Sequence, residues 1–186
     1  NIDLLVTALT HRSYVNEHRK SVSSHNERLE FLGDAVLELV VTDFLFNNYN
    51  EAEGILTSWR ASLVRTESIG EAGSKLGYEP LVRMSRGEKQ GSQRARDQIL
   101  ANSFEAVTGA VYLEKGYLEA ENFINNYILV KLNEILNDGS WRDPKSYLQE
   151  IMQKIDGFTP AYRVLEEVGP DHDKTFKLGV FSGENM

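Results

Sequence analysis

Three acids, Glu27, Glu30 and Asp34, recur at i, i+3 and i+7 inside a stretch that is otherwise apolar. That spacing sets them on one face of a helix. Leu29, Phe31, Leu32, Val36, Leu37, Leu39, Val40, Val41, Phe44 and Leu45 go nearly all the way round the same helix. A helix apolar on all sides is a buried one, and buried carboxylates are costly unless paired or bound to a metal. A second apolar stretch, residues 97–114, carries Asn102 and Glu105 three apart. Each stretch has a mid-helix glycine, Gly33 and Gly109. Such a glycine costs roughly 1 kcal/mol against alanine, which is explained if another helix approaches closely there. Packed through these glycines, the two helices would bring Glu30, Asp34, Asn102 and Glu105 together. Three carboxylates and one amide are all oxygen donors and suit a hard cation such as Mg²⁺ or Mn²⁺. A cation held this way lowers the pKa of a coordinated water and orients it on a phosphodiester. The residues alone leave a second reading open, in which the acids pair with buried Arg28 or Arg60.

The elements that must hold these residues follow from periodicity and punctuation. Residues 3–18 read as one helix, with Leu4, Leu5, Ala8 and Leu9 as its apolar positions. Asn26 is a suitable N-cap for the first acidic helix, which should end near Asn47. Residues 55–65 and 68–76 form two more helices, the second stopped by Gly77. Residues 80–98 change character, with Arg83, Arg86, Lys89, Arg94 and Arg96 among Gly87, Gly91 and Ser92, and read as a basic loop. Gly116 closes the second acidic helix, and residues 117–136 form a single amphipathic one. After a polar linker, Pro144 opens a short helix, and residues 162–168 and 175–181 read as two strands joined by a turn.

Composition narrows the class. The 186 residues carry a net charge of −8 and no cysteine, which excludes disulfides and thiolate metal sites and fits a cytoplasmic protein. No apolar run has membrane-spanning length and no signal-peptide pattern opens the chain, so no membrane association is expected. An acidic total argues against nucleic acid, unless basic residues are gathered locally as in residues 80–98. His11, His18, His25 and His172 are scattered without ligand spacing, and His25 reads as a capping or packing residue rather than a base. There is no phosphate-cradling glycine loop and no nucleophile elbow.

The stretch His25-Asn26-Glu27-Arg28-Leu29-Glu30-Phe31-Leu32-Gly33-Asp34-Ala35-Val36-Leu37 resembles the signature motif of the ribonuclease III family. Further blocks resemble the family in order: Leu9-Thr10-His11-Arg12-Ser13-Tyr14, Glu53-Gly54-Ile55-Leu56-Thr57, Ile99-Leu100-Ala101-Asn102-Ser103-Phe104-Glu105, and Asp143-Pro144-Lys145-Ser146-Tyr147-Leu148-Gln149-Glu150. The resemblance implies an all-α endonuclease domain over residues 1–137, a linker over 138–142, and over 143–186 the incomplete start of an α-β-β-β-α double-stranded-RNA-binding domain. It implies a cytoplasmic homodimer that cuts double-stranded RNA with Mg²⁺, or Mn²⁺ in its place, in ribosomal and messenger RNA processing, leaving 5′-phosphate and 3′-hydroxyl ends. Glu30, Asp34, Asn102 and Glu105 take the metal-ligand positions, with Asp34 and Glu105 catalytic. Glu27 and Glu53 match further acids of the active centre. Phe31 matches an aromatic that packs into the partner subunit, its alternative being an ordinary core phenylalanine. Ser146, Gln149, Glu150, Gln153 and His172 match residues that enter the minor groove of duplex RNA, a recognition of A-form shape and 2′-hydroxyls. Two departures stand out. The family has Asp where this chain has Asn102, which removes one negative charge from the site and is equally a natural variant or an Asp→Asn replacement. Residues 143–186 hold five Lys and Arg against eight Asp and Glu, without the basic second helix that the resemblance places after them. The alternative to the enzyme is therefore a duplex-RNA-binding protein of the same fold whose catalysis Asn102 has weakened.

Overall fold

The computed structural model describes residues 1–157, 159–170 and 174–181. The chain divides into two compact units, Asn1–Trp141 and Arg142–Met186. The first is helical: α1 (Ile2–Ala8), α2 (Arg12–Glu17), α3 (Glu27–Asn48), α4 (Glu53–Val64), α5 (Thr66–Lys75), α6 (Arg86–Lys89), α7 (Gln93–Lys115), α8 (Tyr117–Tyr127), a 3-10 turn at Leu129–Lys131, and α9 (Leu132–Asp138). The second carries α10 (Pro144–Asp156) and the antiparallel strands β1 (Ala161–Val168) and β2 (Thr175–Phe181). An all-α part followed by an α+β part is the order expected from the sequence.

The long helices α3 and α7 are the centre of the first unit, and each is apolar enough to be buried on several sides. Leu37, Val40, Val41 and Leu45 of α3 are buried, as are Ala101, Phe104, Ala106 and Val107 of α7. Leu63 of α4, Ile69 of α5 and Ile124 of α8 pack into the same core. The α3–α7 crossing runs through the two glycines. A Cβ on Gly33 would overlap the Glu105 carbonyl and lie 2.8 Å from the Gly109 amide nitrogen. One on Gly109 would overlap the Leu29 carbonyl. Only glycine lets the two backbones meet there.

Several local expectations give way to non-local bonding. The first helix is broken at residues 9–11. His11 N–H donates to the Arg83 carbonyl at 2.9 Å, Arg83 N–H to the Leu9 carbonyl at 2.8 Å, and Asn26 N–H to the Thr10 carbonyl at 2.9 Å. Those groups are therefore not available to a helical ladder. The His11 imidazole then caps α2, accepting from Ser13 N–H at 3.3 Å. Residues 80–98 are more ordered than a plain basic loop: Val82 and Met84 are buried, α6 forms behind a Ser85 cap, and α7 starts at Gln93 behind a Ser92 cap. The single helix expected over 117–136 is three pieces. Lys131, buried at the 3-10 turn, donates to the Ser68 carbonyl and the Glu71 carboxylate, both at 2.7 Å. Asn26 stands at the N-terminus of α3, but its side chain caps nothing and is wholly buried. Among the described residues no helix is long and apolar enough to cross a membrane.

In the second unit, Asp143 caps α10 by accepting from Ser146 N–H at 2.8 Å, with Pro144 in the first turn. The strands pair from Ala161–Phe181 to Val168–Thr175, with one irregularity between Val164 and Glu166.

Because two backbones share the space at the α3–α7 crossing, Gly33→Ala and Gly109→Ala should each cost about 3 kcal/mol or more. Gly54→Ala, where a Cβ would meet nothing within 4 Å, should change stability little. Urea unfolding of the three variants checks the contrast.

Candidate active site

The crossing that excludes side chains at Gly33 and Gly109 sets the acids beside it. Glu30 and Asp34 flank Gly33 along α3, and Asn102 and Glu105 lie on the facing turns of α7. Glu30, Asn102 and Glu105 are half-buried and Asp34 is exposed. The mutual influence of these groups shows that they share one region. Burial pushes the Glu105 carboxyl up to about 8, and the charges of Asp34 and Glu30 add to the effect. Glu30 is raised by burial and by the charges of Glu27 and Asp34, while the Asn102 side chain facing it steadies its ionised form. Glu27, at the first turn of α3, is exposed and held by Arg12 Nη1 at 3.3 Å, with His25 Nδ1 at 3.7 Å.

Neither arginine considered as a partner for the acids takes that role. Arg60 is bound by Glu38 at 3.1 Å and donates to Thr42 Oγ1 at 3.0 Å. Arg28 is exposed, beside a groove lined by Leu4, Phe31, Leu32 and Leu113. Among the described residues no Lys or Arg forms an ion pair with Glu30, Asp34 or Glu105.

Glu53 is not drawn into this cluster. It sits in the first turn of α4, accepts from Thr57 Oγ1 at 3.2 Å, and lines a separate groove of about 400 Å³ with Leu45, Phe46, Leu56 and Arg60. Phe31 is 80% exposed, so it is no core residue. On α10, Ser146, Gln149, Glu150 and Gln153 fall on one helical face. The Ser146 hydroxyl is already engaged, donating to Asp143 at 2.8 Å. His172 lies outside the described residues.

The sequence reading missed Gln98. One turn before Asn102 on α7, it donates its amide to Asn102 Oδ1 at 2.7 Å. The i, i+4 spacing was its only signal, and on an exposed helix face such pairs are common. The Arg12–Glu27 pair was also missed, because it joins residues 15 positions apart across the break between α2 and α3.

The donor set tests whether a cation fits. Four oxygen-bearing side chains from two rigid helices, three of them carboxylates with no cationic side chain paired to them, have the hard character that Mg²⁺ and Mn²⁺ take. Among the described residues, no three acidic or histidine side chains are gathered tightly enough to form a coordination sphere as they stand. The donor chemistry suits the ion, while the spacing of these side chains in the single chain does not by itself form its coordination sphere.

Residues 1–132 match the family model described as Ribonuclease-III-like. The chain is 41% identical to Ribonuclease 3 of Borreliella burgdorferi over all of this chain and 76% of that one. It is 42% identical to Ribonuclease 3 of Streptococcus uberis over 97% of this chain and 79% of that one. Among solved structures, the nuclease domain of ribonuclease III from Campylobacter jejuni, studied for flexibility in a region involved in dimer formation, superposes with a TM-score of 0.60 at 38% identity. That match covers 71% of this chain and 85% of that one. Dicer from Pichia stipitis, at 23% identity and a TM-score of 0.55, shares the fold.

The raised Glu105 carboxyl has a thermodynamic consequence. In the unfolded chain it releases its proton near the ordinary 4.5, whereas in the folded protein it holds it to about 8. Between those values the folded state binds more protons, so its stability falls as pH rises through the window. In the presence of chelator, the melting temperature should drop from pH 5 to pH 8.5. Glu105→Gln should flatten that slope and raise the melting temperature at pH 8.5, as thermal unfolding across the pH series would show.

Proposed function

The chain belongs to the ribonuclease III family, and from that membership we propose that it is a divalent-metal-dependent endoribonuclease that cuts double-stranded RNA as a homodimer. The observation that carries the reading is the cluster of Glu30, Asp34 and Glu105 at the glycine crossing, with which no Lys or Arg among the described residues forms an ion pair. In this reading these three carboxylates hold Mg²⁺, or Mn²⁺ in its place, with Asn102 as their neutral neighbour. The bound cation supplies Lewis acidity for attack of water on a phosphodiester. The chain's own contribution is placement. Asp34 and Glu105 are the catalytic carboxylates, carried by two helices whose backbones meet at Gly33 and Gly109. Glu27, braced by Arg12, lines the approach to them. The 3′ oxygen leaves, so the products carry 5′-phosphate and 3′-hydroxyl ends.

The second unit supports a duplex substrate. Ser146, Gln149, Glu150 and Gln153 share one face of α10 and suit hydrogen bonding to 2′-hydroxyls across a minor groove. His172 completes that set by resemblance. Processing of ribosomal and messenger RNA in the cytoplasm is the role this activity would serve.

The dimer reading rests on α3. Phe31, Leu39 and Phe46 are 80%, 57% and 74% exposed. Large exposed apolar side chains along one helix are the kind that a partner covers. The groove beside Glu53, lined by Leu45, Phe46 and Leu56, has room for an aromatic ring from a second copy. A dimer seated there would bring the Glu53 of one copy to the face that carries the Phe31 of the other, which accounts for an active-centre acid that stands apart in a single chain.

The second reading, a duplex-RNA-binding protein with weakened catalysis, is favoured by one residue, Asn102. Duplex RNA incubated with the chain and Mg²⁺ should be cut, and chelator should stop the cutting. Glu105→Gln should lower the rate by at least about 10²-fold. Retained binding without cutting, restored by Asn102→Asp, would instead establish the second reading. Light scattering at micromolar concentration should show a dimer, and Phe31→Glu should give a folded monomer. A monomeric unmodified chain would end the dimer reading.

A further inference from the structure

The partners of Asn102 assign a role to Gln98. Two neighbours act on Asn102: Gln98 on α7 donates its amide to Asn102 Oδ1 at 2.7 Å, and the Asn102 side chain favours the ionised form of Glu30 across on α3. A carboxylate only accepts hydrogen bonds, and an Asn side chain has one accepting end and one donating end. The end toward Glu30 is therefore the NH₂ group, and the end toward Gln98 is the carbonyl. Both point to the same one of the two amide orientations. In that orientation the one oxygen that could coordinate a cation is turned away from Glu30 and already accepts a hydrogen bond.

We propose that Gln98 is a positioning residue of the active centre. By holding the Asn102 carbonyl oxygen, it turns the Asn102 amide nitrogen toward Glu30, so that Asn102 orients a ligand carboxylate instead of acting as a fourth ligand. The proposal rests on Glu30, Asp34 and Glu105 being cation ligands, and it makes those three carboxylates the whole of this chain's ligand set. It also makes Gln98 matter only while position 102 is an amide. An aspartate there has two equivalent oxygens, so Gln98 could hold one and leave the other free. A Gln–Asn pair that merely braces an exposed helix face would shift stability slightly and leave cation affinity unchanged.

The test is Mn²⁺ binding to the full 186-residue chain without RNA, followed by isothermal titration calorimetry and by the Mn²⁺ electron paramagnetic resonance signal. Gln98→Met keeps the length of the side chain and removes its donor, and Gln98→Ala removes both. In each, the released amide is free to turn its oxygen toward the carboxylates, and Mn²⁺ should bind at least about threefold more tightly. In an Asn102→Asp background, Gln98→Met should change affinity by less than about twofold. An unchanged or weakened affinity in the Gln98 variants overturns the proposal, as does an equal shift in both backgrounds. Glu105→Gln separates the two levels of failure. If it weakens Mn²⁺ binding while Gln98→Met has no effect, the cation site stands and only the role of Gln98 fails. If it leaves binding unchanged, the cation site fails and the role of Gln98 with it.

Discussion

At the middle of the α3–α7 crossing there is no room for a side chain. The backbone at Gly33 lies against the Glu105 carbonyl and the Gly109 amide, and the backbone at Gly109 lies against the Leu29 carbonyl. Almost everything else in the first unit depends on that contact. It brings two apolar-rich helices close enough to bury Leu37, Val40, Phe104 and Val107 in one core. It also sets Glu30 and Asp34 beside Asn102 and Glu105, and the apolar core buried around the crossing resists their separation. The same two glycines thus serve stability and site geometry, and neither use is separable from the other.

That arrangement holds carboxylates where they repel one another and are partly withdrawn from water. Among the described residues no Lys or Arg pairs with Glu30, Asp34 or Glu105: Arg12 is spent on Glu27, Arg60 on Glu38, and Lys131 on Glu71. The Glu105 carboxyl consequently keeps its proton to about 8. A half-buried acid so far from its ordinary behaviour is typical of functional sites, where stability is given up for chemistry. Asn102 lowers the electrostatic load by one charge, and Gln98 decides which end of its amide the acids meet. The energetics of the site are therefore set as much by polar neighbours as by the carboxylates themselves.

Much of this was legible in the chain. The i, i+3, i+7 acids and the mid-helix glycines are local patterns that helix geometry translates directly into faces and contacts, whereas α3, read as buried on all sides, leaves Phe31, Leu39 and Phe46 exposed. Long, strongly periodic elements such as α3 and α10 emerged with nearly their final bounds for the same reason. The failures were equally physical. The break between α1 and α2 exists because residues 9–11 bond to Arg83 and Asn26, which no local propensity records. The splitting of residues 117–136 accompanies the burial of Lys131 against α5, a contact 60 or more positions away.

What the sequence by itself determined is the identity and spacing of the donors, the family they belong to, and the need for a close helix crossing, because each follows from residue type and a 3.6-residue period. Tertiary structure decided which of the candidate acids meet. It set Glu105 of α7 beside Glu30 and Asp34 of α3, left Glu53 on a different groove, and placed Phe31 in solvent rather than in the core. These outcomes depend on how whole helices are rotated and seated against one another. That is set by packing over many side chains at once, not by the neighbours of any one residue in the chain.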